Sequence, residues 1–196
     1  FHLKYPCCYR VHEEPNKERL ANVNNILKAI GEEIKNIDKG VKPKQLQRLM
    51  NNIKGTAAMD SVNTLLLRAM AKARYDSMPL GHYGLAAQYY CHFTSPIRRY
   101  PDLQTHRMIT DLLINKNNID ESLNHYNSIL DNVCSLSSDT ERRAVDLERM
   151  VNDMKAAEYM MDKVGNIYNA VISSVTSFGL FVMLENTIEG LVHVKN

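Results

Sequence analysis

One short stretch, residues 89–103, combines aromatic rings, hydroxyls, two adjacent arginines and two prolines. Arg98 and Arg99 precede Pro101, which stands where the first turn of a helix would begin. Proline is well tolerated at that position, and the free N–H groups at a helix start favour anions. Guanidinium groups match phosphate oxygens two at a time. The stretch therefore predicts a phosphate site. The alternative is that one arginine pairs with a local carboxylate such as Asp102 while the other is solvated.

The residues around the arginines predict a strand that turns into a helix. Residues 86–93 form an apolar and aromatic run of strand character, and Pro96 biases Ser95 away from the helical region. Asp102 follows Pro101 at the positive end of the expected helix dipole. We therefore expect residues 94–100 to be the turn that presents the arginines.

Composition bounds the class of protein. With 196 residues and 44% hydrophobic content, the chain can bury a substantial core. The four cysteines have neither a metal-ligand spacing nor a secreted disulfide pattern, so we expect a reducing cytoplasm. No apolar run is long enough to span a bilayer, and no charged-then-apolar signal segment opens the chain. The first residue is not Met, which suggests a piece of a longer protein.

The net charge of +2 is unevenly distributed. Residues 1–119 carry 18 Lys and Arg against 10 Asp and Glu, whereas residues 120–163 carry 5 against 10. This asymmetry fits a polyanionic partner on the basic half, and a solvated helix surface would give the same count.

Apolar periodicity predicts a mostly helical first part. The spacing predicts a strand over residues 3–13 and then helices over residues 16–30, 43–54, 58–73, 101–115, 123–136 and 142–163. Ser138 to Glu141 has the S-x-x-E spacing of a capping box, which predicts that the last of these helices starts there. Two glycines around His82 and Tyr83 suggest a bend or a close backbone approach.

The period changes from helical to two at Gly165. Residues 167–175, 178–184 and 189–194 are typical of three short strands joined by turns. Three strands leave open edges, so they are expected to begin a β barrel that the chain does not finish. The predicted fold class is α+β: a helix-rich part with a few strands over residues 1–163, then an incomplete OB-type barrel over residues 164–196.

Several motifs together closely resemble the catalytic domain of the ribonuclease II and ribonuclease R family. They are His82-Tyr83-Gly84-Leu85-Ala86, the stretch from His92 to Leu103 followed by His106-Arg107, Tyr9 to Pro15, and Thr140 to Ala144. Residues 165–194 resemble the opening strands of the RNA-binding barrel named after ribosomal protein S-one. These segments occur in the family's order and cover nearly the whole chain.

The resemblance implies a processive 3′-to-5′ exoribonuclease that hydrolyses single-stranded RNA with Mg²⁺ and releases nucleoside 5′-monophosphates. We expect a monomer without membrane contact. The family's metal site is a cluster of aspartates upstream of the Tyr9 strand, and no such cluster occurs in this sequence. Asp102, His106 and Asp111 lie at helical spacing, but capping and buried pairing are commoner uses of such residues than metal ligation. This chain alone is therefore expected to be inactive.

The resemblance also implies roles for single residues. Arg98 matches the arginine that contacts the scissile phosphate, and Arg99 is expected to position the backbone or pair locally beside the RNA. Ser95 either offers its hydroxyl to phosphate or fixes the turn, which we favour, and Tyr100 is a further RNA-binding candidate. Glu141 matches a carboxylate that contacts the terminal base; it equally suits the reciprocal half of the capping box.

In the barrel segment, aromatic residues predict a stacking platform for single-stranded bases. Phe178 and Phe181 flank Gly179, and Tyr168 and His193 are near in the expected hairpins. Because side chains alternate along a strand, some must face inward. We expect Phe178 and His193 to be exposed and Phe181 to lie in the core.

Two other function classes compete with the nuclease. One is a non-catalytic RNA-binding protein that retains the fold and the phosphate pocket; an aspartate cluster in the upstream sequence of the parent would favour the enzyme over it. The other is a purely helical interaction domain, which explains neither the Ser95 to Arg99 turn nor the change of period at Gly165.

Overall fold

The computed structural model describes residues 5–56, 58–115 and 118–195. They form two compact units, Phe1–Thr140 and Glu141–Asn196. The predicted boundary at residues 163 and 164 stays a prediction.

In its described residues, the first unit consists of helices and a two-stranded sheet. Its elements are β1 (Tyr9–Val11), α1 (Lys17–Ala29), α2 (Pro43–Asn52), α3 (Met59–Ala69), β2 (Arg74–Asp76) and α4 (Tyr100–Ile109), continued by a π-helical segment (Thr110–Asn115) and the start of α5 (Ile119–Met161). Short 3-10 turns lie at Ile37–Lys39 and Tyr83–Leu85. Helix α1 begins where its sequence predicts, because the Asn16 side chain accepts a hydrogen bond from the Arg19 N–H.

Two separate cores hold this unit together. The first lies between α1, α2 and α3, whose buried residues include Leu20, Leu27, Leu49 and Val62. The second is built from Cys8, Tyr75, Met108, Leu112, Tyr126, Leu130 and Cys134. It joins the strand pair to α4, the π-helical segment and the first part of α5. This second core is what positions the arginine-rich turn.

The strand expected over residues 86–93 is absent from the described chain. Ala86 adopts a left-handed φ of 50°, and His82 and Ala87 form only an isolated bridge. The segment turns at Ala86 and bends at residues 88–89, and it pairs through single hydrogen bonds, such as the Arg10 N–H to the Tyr90 carbonyl at 2.8 Å. The expected first strand over residues 3–13, of which residues 3 and 4 lie outside the described residues, is reduced in its described part to Tyr9–Val11. Its antiparallel partner β2 was missed. A three-residue strand shows no periodicity.

The predicted helix start at Ser138 is wrong, because α5 runs unbroken for 43 residues. The Ser138 hydroxyl donates to the Cys134 carbonyl at 2.7 Å, and the Thr140 hydroxyl donates to the Leu136 carbonyl at 2.9 Å. Both hydroxyls therefore satisfy carbonyls of the preceding helical turn, which Ser and Thr do inside helices.

The second unit continues α5 and adds an antiparallel sheet. Its strands are β3 (Ala170–Thr176), β4 (Gly179–Leu184) and β5 (Glu189–His193), in the order β3-β4-β5. A bulge between Ile172 and Ser174 shifts the β3–β4 register. The change of period at Gly165 thus marks the start of β structure, and the α+β class is confirmed.

None of the helices in the described parts of the chain is long and apolar enough to cross a membrane.

Candidate functional site

The Ser-Pro-Ile-Arg-Arg stretch forms a tight turn directly before α4. The Ser95 carbonyl accepts the N–H groups of Arg98 and Arg99 at 3.3 and 3.1 Å. Arg99 has an extended backbone at the N-cap position, and α4 begins at Tyr100 with proline in its first turn. The predicted turn and helix start are therefore confirmed, because proline suits the first helical turn, where its missing N–H loses no helical hydrogen bond.

A buried carboxylate holds this turn. The Asp102 side chain has 0% exposure, and its Oδ2 accepts the Ser95 N–H at 2.8 Å. The same oxygen accepts Arg99 Nε at 3.2 Å and Nη2 at 2.8 Å. Arg99 is thus committed to a local ion pair, as expected for one of the two arginines. Ser95 has both backbone groups engaged in the turn, which supports a structural role for it.

The neighbouring arginine has a different environment. Arg98 is exposed, and among the described residues its side chain makes no hydrogen bond or ion pair. Ile97 beside it is fully exposed, at 101%. Because the pair with Asp102 fixes the backbone, Arg98 is presented on a rigid turn with its five N–H donors available. Tyr100, also exposed, has its ring 6.0 Å from the Arg107 guanidinium.

A chain of ring contacts lies in the same unit, and sequence reasoning missed it. The ring of His82 meets the rings of His12 and Tyr90 edge-on at 5.1 and 5.2 Å, and Tyr90 meets His92 at 5.8 Å. Phe93 and His106 follow at 4.3 Å. Burial and the adjacent His12 lower the pKa of His82, which favours its neutral form. The repeated occurrence of histidine next to aromatic residues in the sequence is the signal from which these ring contacts could have been predicted.

Gly84 explains how two of these segments approach each other. Its N–H donates to His12 Nδ1 at 3.1 Å, and a Cβ added at this glycine would lie 3.0 Å from the same nitrogen. The expected close backbone approach is therefore confirmed.

The three residues considered as metal ligands are used in other ways. Asp102 binds Arg99, His106 Nε2 lies 2.8 Å from the Phe93 carbonyl, and Asp111 accepts the Tyr126 hydroxyl. The described residues contain no group of three His, Cys, Asp or Glu side chains arranged to hold a metal ion. These three side chains do not fit a metal site.

Glu141 lies within α5 in the second unit and is half-buried. Since the helix does not start there, Glu141 is not the reciprocal half of a capping box. Its contact with a terminal base stays a prediction.

The sheet of the second unit brings three of its aromatic candidates to one end. Phe178 lies in the β3–β4 turn, is 46% exposed, and meets the Phe181 ring edge-on at 6.2 Å. His193, at the end of β5, pairs with Gly179. Phe181 and His193 are both half-buried, so the predicted core position of Phe181 and the predicted exposure of His193 are wrong, because this three-stranded sheet covers both rings only in part. The Val194 N–H donates to the Phe178 carbonyl at 3.0 Å, which ties this end together. Tyr168 precedes β3 and is 44% exposed.

Comparison with known proteins agrees with both units. Residues 1–115 match the RNB domain, and residues 161–196 match the S1 RNA binding domain. Ribonuclease R of Mycoplasmopsis pulmonis is 44% identical over 195 residues, which is 99% of this chain and 27% of that protein. This chain thus spans about a quarter of the length of the curated relative.

Solved structures share the fold. Mycoplasma genitalium RNase R in complex with ribose methylated single-stranded RNA has a TM-score of 0.91 and 30% identity, over 100% of this chain and 31% of that one. Yeast Ssd1, described as a pseudonuclease, has a TM-score of 0.70 at 22% identity, over 98% of this chain and 24% of that one, which shows the fold alone. The match to the RNB domain covers more than half of the residues of this chain. The chain therefore belongs to the RNB domain family, which is the family of ribonucleases II and R.

Proposed function

We propose that this chain is the C-terminal part of the catalytic domain of a 3′-to-5′ exoribonuclease, followed by the start of its S1 domain. The single observation that carries the proposal is the exposed Arg98 beside the buried Asp102–Arg99 pair. Because the turn fixes the backbone of Arg98, only the side chain has to be ordered when the guanidinium binds a phosphate.

In this proposal Arg98 contacts the phosphate of the scissile bond. As water attacks in line, negative charge grows on the non-bridging oxygens, and the guanidinium donors stabilise it. Arg99 and Asp102 keep the turn in place and do not touch the reacting atoms. Mg²⁺, held by residues outside this chain, would supply charge neutralisation at the phosphate and activation of the water. The products would be nucleoside 5′-monophosphates.

The second unit would guide the single-stranded substrate. Phe178, which is exposed, and His193, which is half-buried, lie at the same end of the sheet, where a ring can stack on a base. The basic charge of residues 1–119 supports a polyanionic partner. A cytoplasmic enzyme fits four cysteines that are all free thiols, and in this proposal it acts as a monomer.

The test uses the longest natural protein that contains this chain, with Mg²⁺ and a 5′-labelled single-stranded RNA. We expect Arg98→Ala to lower the turnover number by about 10²–10³-fold, as the loss of one preorganised donor does, with little change in RNA affinity. Arg98→Lys should recover only part of the rate, because an ammonium group cannot bind two oxygens as a fork.

Arg48→Ala is the matched control, since Arg48 is also an exposed arginine of the first unit but lies on α2. It should leave both turnover and affinity unchanged. Equal losses of turnover and affinity in Arg98→Ala would make this arginine a binding residue only. Unchanged turnover would contradict the proposal.

A non-catalytic RNA-binding protein is the second candidate function. It is supported by the fold that this chain shares with yeast Ssd1, which is described as a pseudonuclease. The two differ in one measurement on the same full-length protein. Release of mononucleotides that stops with EDTA supports the enzyme, whereas RNA binding without any release supports the binding protein. Residues 1–196 alone should release none, and robust release by them would contradict the placement of the metal ligands outside this chain.

A further inference from the structure

Helix α4 holds the arginine-rich turn through a second side chain besides Asp102. His106 follows Asp102 by one helical turn, so the two side chains lie on the same face of α4. The Asp102 carboxylate accepts the Ser95 N–H at 2.8 Å. His106 Nε2 lies 2.8 Å from the carbonyl oxygen of Phe93, just before the turn. The helix thus binds the backbone that leads into the turn through one acceptor and one donor.

The contact with Phe93 defines the proton on one ring nitrogen of His106. A carbonyl oxygen can only accept a hydrogen bond, so Nε2 must carry a proton and donate it. The ring of His106, which is half-buried, also lies 4.3 Å from the Phe93 ring at an angle of 38°. The imidazole is therefore oriented by two contacts with the same residue, one to its backbone and one to its ring.

A short path of bonded backbone connects His106 to Arg98. The carbonyl that His106 binds belongs to Phe93, and the next bound group along the chain is the N–H of Ser95. The Ser95 carbonyl in turn accepts the Arg98 N–H at 3.3 Å. Removal of the histidine donor would release the Phe93 carbonyl, and the entry to the turn would lose one of the bonds that hold it.

We propose that His106 is a positioning residue for the exonuclease reaction. It holds the Phe93 carbonyl so that the turn presents the Arg98 guanidinium at the scissile phosphate. The inference rests on the function proposed for Arg98, and His106 itself does not touch the substrate. A displacement of a catalytic group by about 1 Å can cost about 10²-fold in rate, so one lost backbone bond is enough to affect turnover.

A purely structural role of His106 predicts a different result. A structural histidine contributes to the stability of the first unit, and its loss has the same effect whether or not Arg98 is present. A positioning histidine acts on the reaction only through Arg98. The losses of turnover from substitutions at the two residues should then not add, as is usual for residues that act as one unit.

The experiment compares His106→Gln with His106→Asn in the longest natural protein that contains this chain, with Mg²⁺ and a 5′-labelled single-stranded RNA. Both variants carry the same amide donor, but glutamine places its nitrogen near the position of Nε2, whereas asparagine is one methylene too short. We expect His106→Gln to retain most of the turnover and His106→Asn to lower it by about 10–10²-fold. The KM for RNA should stay unchanged in both.

Turnover is normalised to the folded fraction, measured by circular dichroism, so that a loss of stability does not imitate a loss of positioning. His125→Asn is the matched control, since His125 is an exposed histidine on α5. It should leave turnover unchanged. Equal turnover of His106→Gln and His106→Asn, or a loss that appears only in the KM, would overturn the positioning role.

A double-mutant cycle separates this inference from the proposed function. In the Arg98→Ala background, His106→Asn should cause no further loss of turnover. If Arg98→Ala lowers turnover and His106→Asn lowers it again by the same factor as in wild type, the positioning role is wrong while the function proposed for Arg98 stands. If Arg98→Ala leaves turnover unchanged, the proposed function is wrong, and this inference with it.

Discussion

Asp102 and Arg99 form a partly buried ion pair in which one oxygen of the buried carboxylate accepts both Nε and Nη2 of the guanidinium, at 3.2 and 2.8 Å. The partners are three positions apart, so the pair closes the first turn of α4 on itself. The same oxygen accepts the Ser95 N–H, and this bond joins the helix start to the preceding turn. Asp102 therefore fixes the backbone conformation of the turn that carries Arg98.

Replacing this carboxylate should destabilise the first unit. Asp102→Ala leaves the Arg99 charge and the Ser95 N–H without their partner. We expect the free energy of unfolding to fall by about 3 kcal/mol. This is the lower end of the range for a broken buried pair, because Arg99 is 22% exposed. Urea denaturation followed by circular dichroism measures the change in the free energy of unfolding.

The matched control is Glu13→Gln, which removes the more exposed ion pair of Glu13 with Arg74 in the same unit. We expect a change of at most about 1 kcal/mol. Equal effects of the two substitutions would contradict a special role for Asp102.

The Ser138 hydroxyl should matter for the second core. It accepts the buried Tyr75 N–H at 2.9 Å, so Ser138→Ala leaves a donor of β2 unsatisfied in the interior. An unsatisfied buried group costs about 1–3 kcal/mol. Thr140→Ala, on the exposed side of the same helix, should change the unfolding free energy by less than about 0.5 kcal/mol. Thermal denaturation of both variants checks this, and equal melting temperatures would count against it.

Two glycines of the second unit predict opposite outcomes for the same substitution. A Cβ at Gly179 would lie 2.4 Å from the Val192 carbonyl oxygen, whereas a Cβ at Gly190 meets nothing within 4 Å. Gly179→Ala must therefore separate β4 from β5, and we expect a loss of about 1–3 kcal/mol, typical of overpacking. Gly190→Ala should be neutral or slightly stabilising, because alanine lowers the entropy of the unfolded chain. Amide hydrogen exchange of β5 measures both, and equal protection in the two variants would be the contrary result.

Tyr126 should make stability depend on pH in the alkaline range. Burial, then the hydrogen bond to Asp111 and its charge, raise the pKa of Tyr126 from its usual 10 to about 12. The folded state thus favours the protonated phenol. Its contribution is complete below about pH 10, where both states are protonated, and it is lost as pH rises from about 10 to about 12.

Tyr126→Phe removes this group, so the decline of the unfolding free energy over that interval should become shallower than in wild type. Urea denaturation at a series of pH values measures the slope. Tyr83→Phe should act in the same direction, because burial first and then the Glu14 charge raise the pKa of Tyr83 to about 12. A slope identical to wild type in both variants would refute the assignment.

Local patterns predicted much of the fold. Asn16 caps α1, proline opens α2 and α4, and the change of period at Gly165 marks the sheet of the second unit. Each of these signals depends only on residues close together in the sequence, so it can be recognised without knowledge of tertiary contacts. The patterns failed at β2, which is three residues long, and at Ser138, where an S-x-x-E spacing lies inside a helix.

The sequence by itself determined the family, the α+β class and the turn that carries Arg98, because these depend on residue types at fixed spacing. Only the tertiary structure decided which arginine is committed to Asp102, since 0% exposure of that carboxylate depends on packing from other elements. The pairing of Cys8 with Cys134 across 126 positions was equally invisible, because no local pattern encodes a contact that two distant segments make only when they share one core.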